Sequence, residues 1–223
     1  MTQIEDIGEV TESRTFHQLG ILVLDGSGSM AAIGDGNISL AEKVNRAVRE
    51  FLGFFKNSGF VNNFSFAVIT FDDEARLHTP ITELTVIDDF ADYNPMNGHG
   101  GGTYIGGALE VAEKLASEFL SKPEASSISH DVRIIIMSDG LCQAPDQTQT
   151  VAERLKQNDK IMICCSLFTQ ASQIGETEIS NAKTVLAEIA SAANLYKTTY
   201  NETDLRQFFI SSMSAKRKFN NDK

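Results

Sequence analysis

The sequence is short of positive charge. It has 19 Lys and Arg residues against 30 Asp and Glu, a formal net charge of -11 at pH 7. Nucleic-acid backbones select basic surfaces, so this balance speaks against a general nucleic-acid binder. Cysteine is scarce too. Cys142, Cys164 and Cys165 make an odd count without framework spacing. Cys164 and Cys165 sit inside an apolar run and read as buried thiols, a usage that points to a reducing, cytoplasmic setting. The opening residues Met1-Thr2-Gln3-Ile4-Glu5-Asp6 hold neither a basic nor an apolar region, so no secretion signal is expected. No apolar run has the length needed to span a bilayer. No linker or internal repeat divides the chain, and 223 residues with 42% hydrophobic content suffice for one domain with a sizeable core. The expected organisation is a loose acidic arm over 1–14, one domain over 15–214 and a basic tail over 215–223. Lys216-Arg217-Lys218 in that tail reads as solvated rather than as a docking peptide.

What is present is alternation. Apolar runs at 15–25, 64–71, 132–137 and 160–167 read as buried strands, with a short strand over Leu195-Tyr196-Lys197. Arg76 to Thr79 is more polar and reads as an edge strand. Between them lie amphipathic helices. The first follows Ser39-Leu40-Ala41-Glu42, which has the form of a capping box, and places Leu40, Val44, Val48, Phe51, Leu52 and Phe55 at helical spacing. Further helices are expected from Ile105 to Phe119, over 147–157, over 183–193 and, capped by Asn201, over 201–213. Loops are expected at 30–37, at 169–180 and over the glycine-rich stretch from Tyr93 to Thr103. Strands alternating with helices specify an α/β fold. It should be a doubly wound, mostly parallel sheet with one short antiparallel edge strand and helices on both faces.

The chemistry gathers where strands end. Leu22-Val23-Leu24 runs into Asp25-Gly26-Ser27-Gly28-Ser29, which places a carboxylate and two hydroxyls at a strand's carboxyl end. The run Val132 to Met137 ends in Ser138-Asp139-Gly140, and Thr103 precedes a helix. On a doubly wound sheet these three loops share one rim. Two carboxylates balance one divalent cation, and three hydroxyls add oxygen ligands without further charge. Mg²⁺ or Mn²⁺ fits that donor set ahead of Ca²⁺. Taken alone, Asp25 and Ser27 would read as a turn cap. Elsewhere, His99 reads as a solvent-facing loop residue, Cys142 as an ordinary partly buried thiol, and Asp72-Asp73 as a polar turn.

These motifs resemble the von Willebrand factor type A domain with its metal-ion-dependent adhesion site. That family's Asp-x-Ser-x-Ser falls on Asp25, Ser27 and Ser29, its threonine on Thr103 and its aspartate on Asp139. The resemblance runs from about Gln18 to Met213. It implies that Ser27, Ser29 and Thr103 contact a metal, and that Asp25 and Asp139 do so directly or through water. The short stretch from Leu141 to Gln147 leaves little room for the inserted helix of integrin domains. Gly26 stands where the family often has a bulkier residue, which predicts a looser first loop. The chain is closest to stand-alone, cytoplasmic bacterial members, which resemble scaffolds found with kinases, phosphatases, ATPases or stress-resistance machinery.

Three functions follow as expectations. The first is a non-enzymatic interaction module in which a partner's Asp or Glu completes the shell of a Mg²⁺ ion. The second is a metal-dependent hydrolase or phosphatase. It is disfavoured because the sequence marks no second metal cluster, no Gly-x-Ser-x-Gly elbow and no histidine base. The third is a structural domain whose metal only rigidifies the rim.

Overall fold

The computed structural model describes residues 14, 16–34, 36–123, 128–170 and 177–215. All but Arg14 of the expected arm over 1–14, and the basic cluster at 216–218, lie outside the described residues. Six strands form one sheet: β1 (Phe16–Asp25), β2 (Phe64–Phe71), β3 (Ala75–Glu83), β4 (Ser129–Ser138), β5 (Ile161–Phe168) and β6 (Tyr196–Thr199). Their order across the sheet is β3-β2-β1-β4-β5-β6. Every pairing is parallel except β2 with β3. The helices are α1 (Leu40–Lys56), α2 (Ile105–Leu120), α3 (Pro145–Lys156), α4 (Thr177–Ile189) and α5 (Glu202–Ser214). α1 packs beside α5, and α2, α3 and α4 adjoin in sequence. This is the doubly wound α/β sheet that the alternation of apolar runs specifies.

The central strands are buried on both faces, and so they read as continuous apolar runs rather than alternating ones. All eight residues of β2 and all eight of β5 are buried. Side chains such as Phe51, Phe66 and Phe209 interlock edge to face between α1, β2 and α5. Each contributes about 1.5–3 kcal/mol by leaving water. Gly20 in β1 makes this packing possible. A Cβ there would lie 2.5 Å from the Phe66 ring and 2.9 Å from Met213 Sδ.

Several boundaries move from the sequence expectation. β3 runs through Pro80 to Glu83 rather than stopping at Thr79, because an antiparallel edge strand tolerates a residue without an N–H. α3 begins at Pro145, two residues before the expected start, since proline suits the first helical turn. α4 begins at Thr177, so the expected loop over 169–180 is shorter than its polarity implied, with 171–176 outside the described residues. The last strand is Tyr196–Thr199 rather than 195–197. The cap of α1 is half a capping box. Ser39 Oγ accepts from the Glu42 N–H at 3.1 Å, whereas the Glu42 carboxylate turns to Asn45 and Arg46. Asn201 caps α5 as expected, accepting from the Asp204 N–H at 2.9 Å. Among the described residues no helix is long and apolar enough to cross a membrane.

The chain leaves β1 toward β2 on one side and reaches β4 on the other. The order reverses at β1, and a crevice opens above the carboxyl ends of β1 and β4.

Candidate metal centre

β1 delivers Asp25 to this crevice fully buried. Its carboxylate is held from two sides. Oδ1 accepts the Ser27 N–H at 2.8 Å, and Oδ2 accepts the Ser138 hydroxyl. The chain then makes a short 3₁₀ turn over Gly28–Ala31, which aims Ser27 and Ser29 the same way. Their Oγ atoms lie 3.0 Å apart, and Ser29 Oγ donates to Asp139 Oδ1 at 2.8 Å. Thr103 joins them. A Cβ built on Gly140 would meet Thr103 Oγ1 at 3.5 Å and Ser29 Oγ at 3.7 Å, so both hydroxyls border the same point. The crevice thus brings together all five residues that the spacing singled out: Asp25, Ser27, Ser29, Thr103 and Asp139.

The electrostatics of the cluster are one-sided. Burial pushes the Asp25 carboxyl above its ordinary range, against the opposing hydrogen bonds of Ser138 and Ser27. Burial also raises Asp139, and the Asp25 charge raises it further. None of the ion pairs among the described residues reaches either carboxylate. Among the described residues no group of three or more His, Cys, Asp or Glu side chains is placed to hold a metal ion. Two carboxylates and three hydroxyls make up this donor set instead. Such an all-oxygen set with two negative charges and no cationic side chain fits a hard divalent cation.

Backbone hydrogen bonds tie the loops to one another. Gly26 N–H donates to Phe71 O at 2.7 Å and Gly28 N–H to Gly101 O at 2.9 Å. Tyr104 N–H donates to Asp72 O at 2.8 Å and Gln143 N–H to Thr103 O at 2.9 Å. Gly26 does not loosen the first loop. A Cβ there would lie 2.1 Å from the Pro95 carbonyl oxygen, so the glycine lets the second loop press against the first.

Three further residues differ from their sequence reading. His99 is not solvent-facing: its side chain is fully buried. Nδ1 lies 2.9 Å from Asp72 Oδ1, and Nε2 lies 2.9 Å from Thr70 Oγ1. Asp72 is more than a polar turn. Its Oδ2 accepts the N–H groups of Gly100 and Gly101, both at 3.1 Å. Burial opposes ionisation, but the His99 contact and the N–H groups of Glu74 and Gly101 hold its carboxyl well below the ordinary range. Cys142 is buried rather than partly buried, with Sγ 3.2 Å from Thr148 Oγ1. Asp72 and His99 therefore support the loop that carries Thr103, and Ser138 supports Asp25. Ser138 left a trace in the sequence as a polar residue closing an apolar strand immediately before Asp139. The Asp72–His99 contact joins residues far apart in sequence and left none.

Comparison with known proteins bears on this geometry. A sequence model of the von Willebrand factor type A domain matches residues 21–141, more than half of the chain and every one of the five site residues. The chain belongs to the von Willebrand factor type A domain family. No curated protein matches the chain at a significant level. Among solved structures, this type A domain resembles the open conformation of the pilus adhesin SpaC from Lactobacillus rhamnosus GG. The TM-score is 0.71 at 13% identity, over 92% of this chain and 30% of that one. It also resembles the vWF domain of the type V pili tip protein Mfa5 from Porphyromonas gingivalis, with TM-score 0.66 and 14% identity, over 95% of this chain and 100% of that one. A third is proximal thread matrix protein 1 from the mussel byssus, described with a zinc-occupied MIDAS motif. There the TM-score is 0.60 at 18% identity, over 90% of this chain and 46% of that one. At these identities the likeness speaks to the fold. The type A domain spans under a third of the length of SpaC.

Proposed function

We propose that this domain is a non-enzymatic protein-interaction module whose Asp25, Ser27, Ser29, Thr103 and Asp139 hold a divalent cation, Mg²⁺ or Mn²⁺. When bound, the cation supplies an electrophilic point that accepts a carboxylate oxygen from outside the chain. The observation that carries this reading is the convergence of the Ser27, Ser29 and Thr103 hydroxyls beside two raised carboxylates with no ion-pair partner among the described residues. Hydroxyl ligands add no charge beyond that of Asp25 and Asp139, so the cation stays electrophilic toward a partner's Asp or Glu at an open coordination position. The domain's own residues set the geometry: Ser138 orients Asp25, and Asp72 with His99 fixes the loop before Thr103.

The backbone bonds among the loops speak against a purely rigidifying metal, because the rim is fastened without one. His99 speaks against a hydrolase, since the loop histidine placed best for a general base is buried between Asp72 and Thr70. We also propose a reducing compartment, supported by three buried free thiols.

Titrating Mn²⁺ into the protein and following free Mn²⁺ by electron paramagnetic resonance tests the metal. One site is expected, lost in a Ser27→Ala, Ser29→Ala variant that keeps its fold. Acetate added to the loaded protein should alter the bound-ion spectrum. Equal Mn²⁺ uptake by both proteins would overturn the assignment, and an unchanged spectrum would overturn the open coordination position.

A further inference from the structure

A cavity of about 290 Å³ adjoins the donor cluster, and Ser29, Thr103 and Asp139 form only one side of it. We propose that this cavity reads the residue beside the partner's carboxylate, selecting an aliphatic side chain and rejecting a second acid. The inference rests on the carboxylate-binding reading above and assigns that site a ligand class: a protein segment with an Asp or Glu flanked by a leucine-like residue.

The cavity's other walls are unlike the donors. Ala32 follows the 3₁₀ turn of the first loop, Leu40 comes from the start of α1, Leu141 from the third loop and Ile179 from the first turn of α4. Four apolar groups from four separate segments face a space that begins at charged oxygen ligands. Leu141 is 41% exposed although it is large and apolar, and it stands two residues beyond Asp139. An aliphatic side chain entering here would cover it and leave water itself. Consecutive Cα atoms of a chain lie about 3.8 Å apart, so a carboxylate anchored at the donors holds the adjoining residues of its chain within a side chain's reach of this wall.

Glu178 lines the same cavity. It joins none of the ion pairs among the described residues. Its carboxylate and that of Asp139 line the same cavity. One incoming carboxylate would occupy the cation's open coordination position, whereas a second would meet Glu178 with no such contact. The apolar wall and the unpaired carboxylate therefore favour the same ligand, with one acid flanked by aliphatic neighbours.

The test is a titration of the isotopically labelled full chain with Mg²⁺, followed by amide NMR shifts, which report weak binding. The probes are acetyl-Leu-Asp-Leu-amide, acetyl-Gly-Asp-Gly-amide and acetyl-Glu-Asp-Glu-amide. Placing the same residue on both sides of the Asp removes any dependence on chain direction. The leucine peptide is expected to bind about fivefold tighter than the glycine peptide, and the glutamate peptide weakest. A Leu141→Ser, Ile179→Ser variant should close the gap between leucine and glycine without altering the glycine peptide. Glu178→Gln, on an exposed side chain, should recover about fivefold for the glutamate peptide alone. Leucine and glycine peptides that bind alike, with Mg²⁺-dependent shifts intact, would overturn the wall's role and leave carboxylate binding standing. A glutamate peptide indifferent to Glu178→Gln would overturn the rejection of a second acid. Absence of Mg²⁺-dependent shifts with every peptide would overturn the carboxylate-binding reading itself.

Discussion

The two ends of the β1–β4 pair solve the problem of buried polar groups in opposite ways. At the carboxyl end, Asp25 and Asp139 carry like charges that burial and mutual repulsion make costly. At the amino end, His17 sits directly across from His130 in the strand register, with ring centroids 5.3 Å apart. There burial lowers the His17 pKa to about 4, with Arg14, His130 and Lys122 lowering it further and Glu83 opposing. The ring stays neutral, hydrogen-bonded to Ser65 Oγ at 2.9 Å and packed on Phe119. One end sheds its charge within the protein's own contacts. At the other, burial and mutual repulsion disfavour the charged form, and no ion pair among the described residues offsets it. An added cation would relieve the second end and not the first.

The largest expected effect comes from breaking that asymmetry. Asp139→Asn should lower Mg²⁺ affinity at least about a hundredfold, above the usual effect of losing an outer-shell partner. In EDTA the same variant should be more stable than the parent by about 1 kcal/mol, because a like-charge pair is relieved. Calorimetric Mg²⁺ titration and thermal melts in EDTA check both. Parallel losses of affinity and metal-free stability would mean that Asp139 is a structural carboxylate.

The amino end offers the next effect. His17 titrates near 4 in the folded chain and about 6.5 when unfolded. Above pH 6.5 both states hold it neutral, and its contribution is complete. As pH falls from 6.5 toward 4 the unfolded chain binds a proton first, so stability is lost over that window. The loss should reach about 2 kcal/mol. Urea melts across the window should show a steeper fall for the parent than for His17→Gln.

The smallest effect sharpens the carboxyl end. His99→Gln removes the Nδ1 contact to Asp72 and should weaken Mg²⁺ binding about tenfold, the scale expected for a residue that orients ligands without touching the metal. Global stability should change less than affinity, and Asp72→Asn should reproduce the loss. Affinity equal to the parent's would make His99 a packing residue only.

Legibility divided along the range of the interactions involved. Asp25, Ser27 and Ser29 were readable because their spacing is local, and Thr103 and Asp139 because each stands where a loop meets a helix or a strand ends. The sheet was readable because strands buried on both faces leave long apolar runs. His99 was not, because its burial depends on Asp72 and Thr70 across the sheet's end, and a single histidine among glycines has no period. The start of α4 was hidden by the polar turn Thr177-Glu178-Ile179-Ser180, whose helical state owes more to packing of Ala182, Leu186 and Ile189 than to its own propensity. β3 was cut short at Pro80, where a rule true of central strands does not apply at an edge.

That edge has a consequence for how the molecule meets others. β3 is largely exposed and interrupts its pairing with β2 at two register shifts, and it carries Pro80 in its middle. At the far side, β6 offers only four residues. Neither border is a long flat ladder onto which another chain could add a strand. Neither edge therefore templates the growth of a longer sheet, and the six strands are fixed as a frame of finite width.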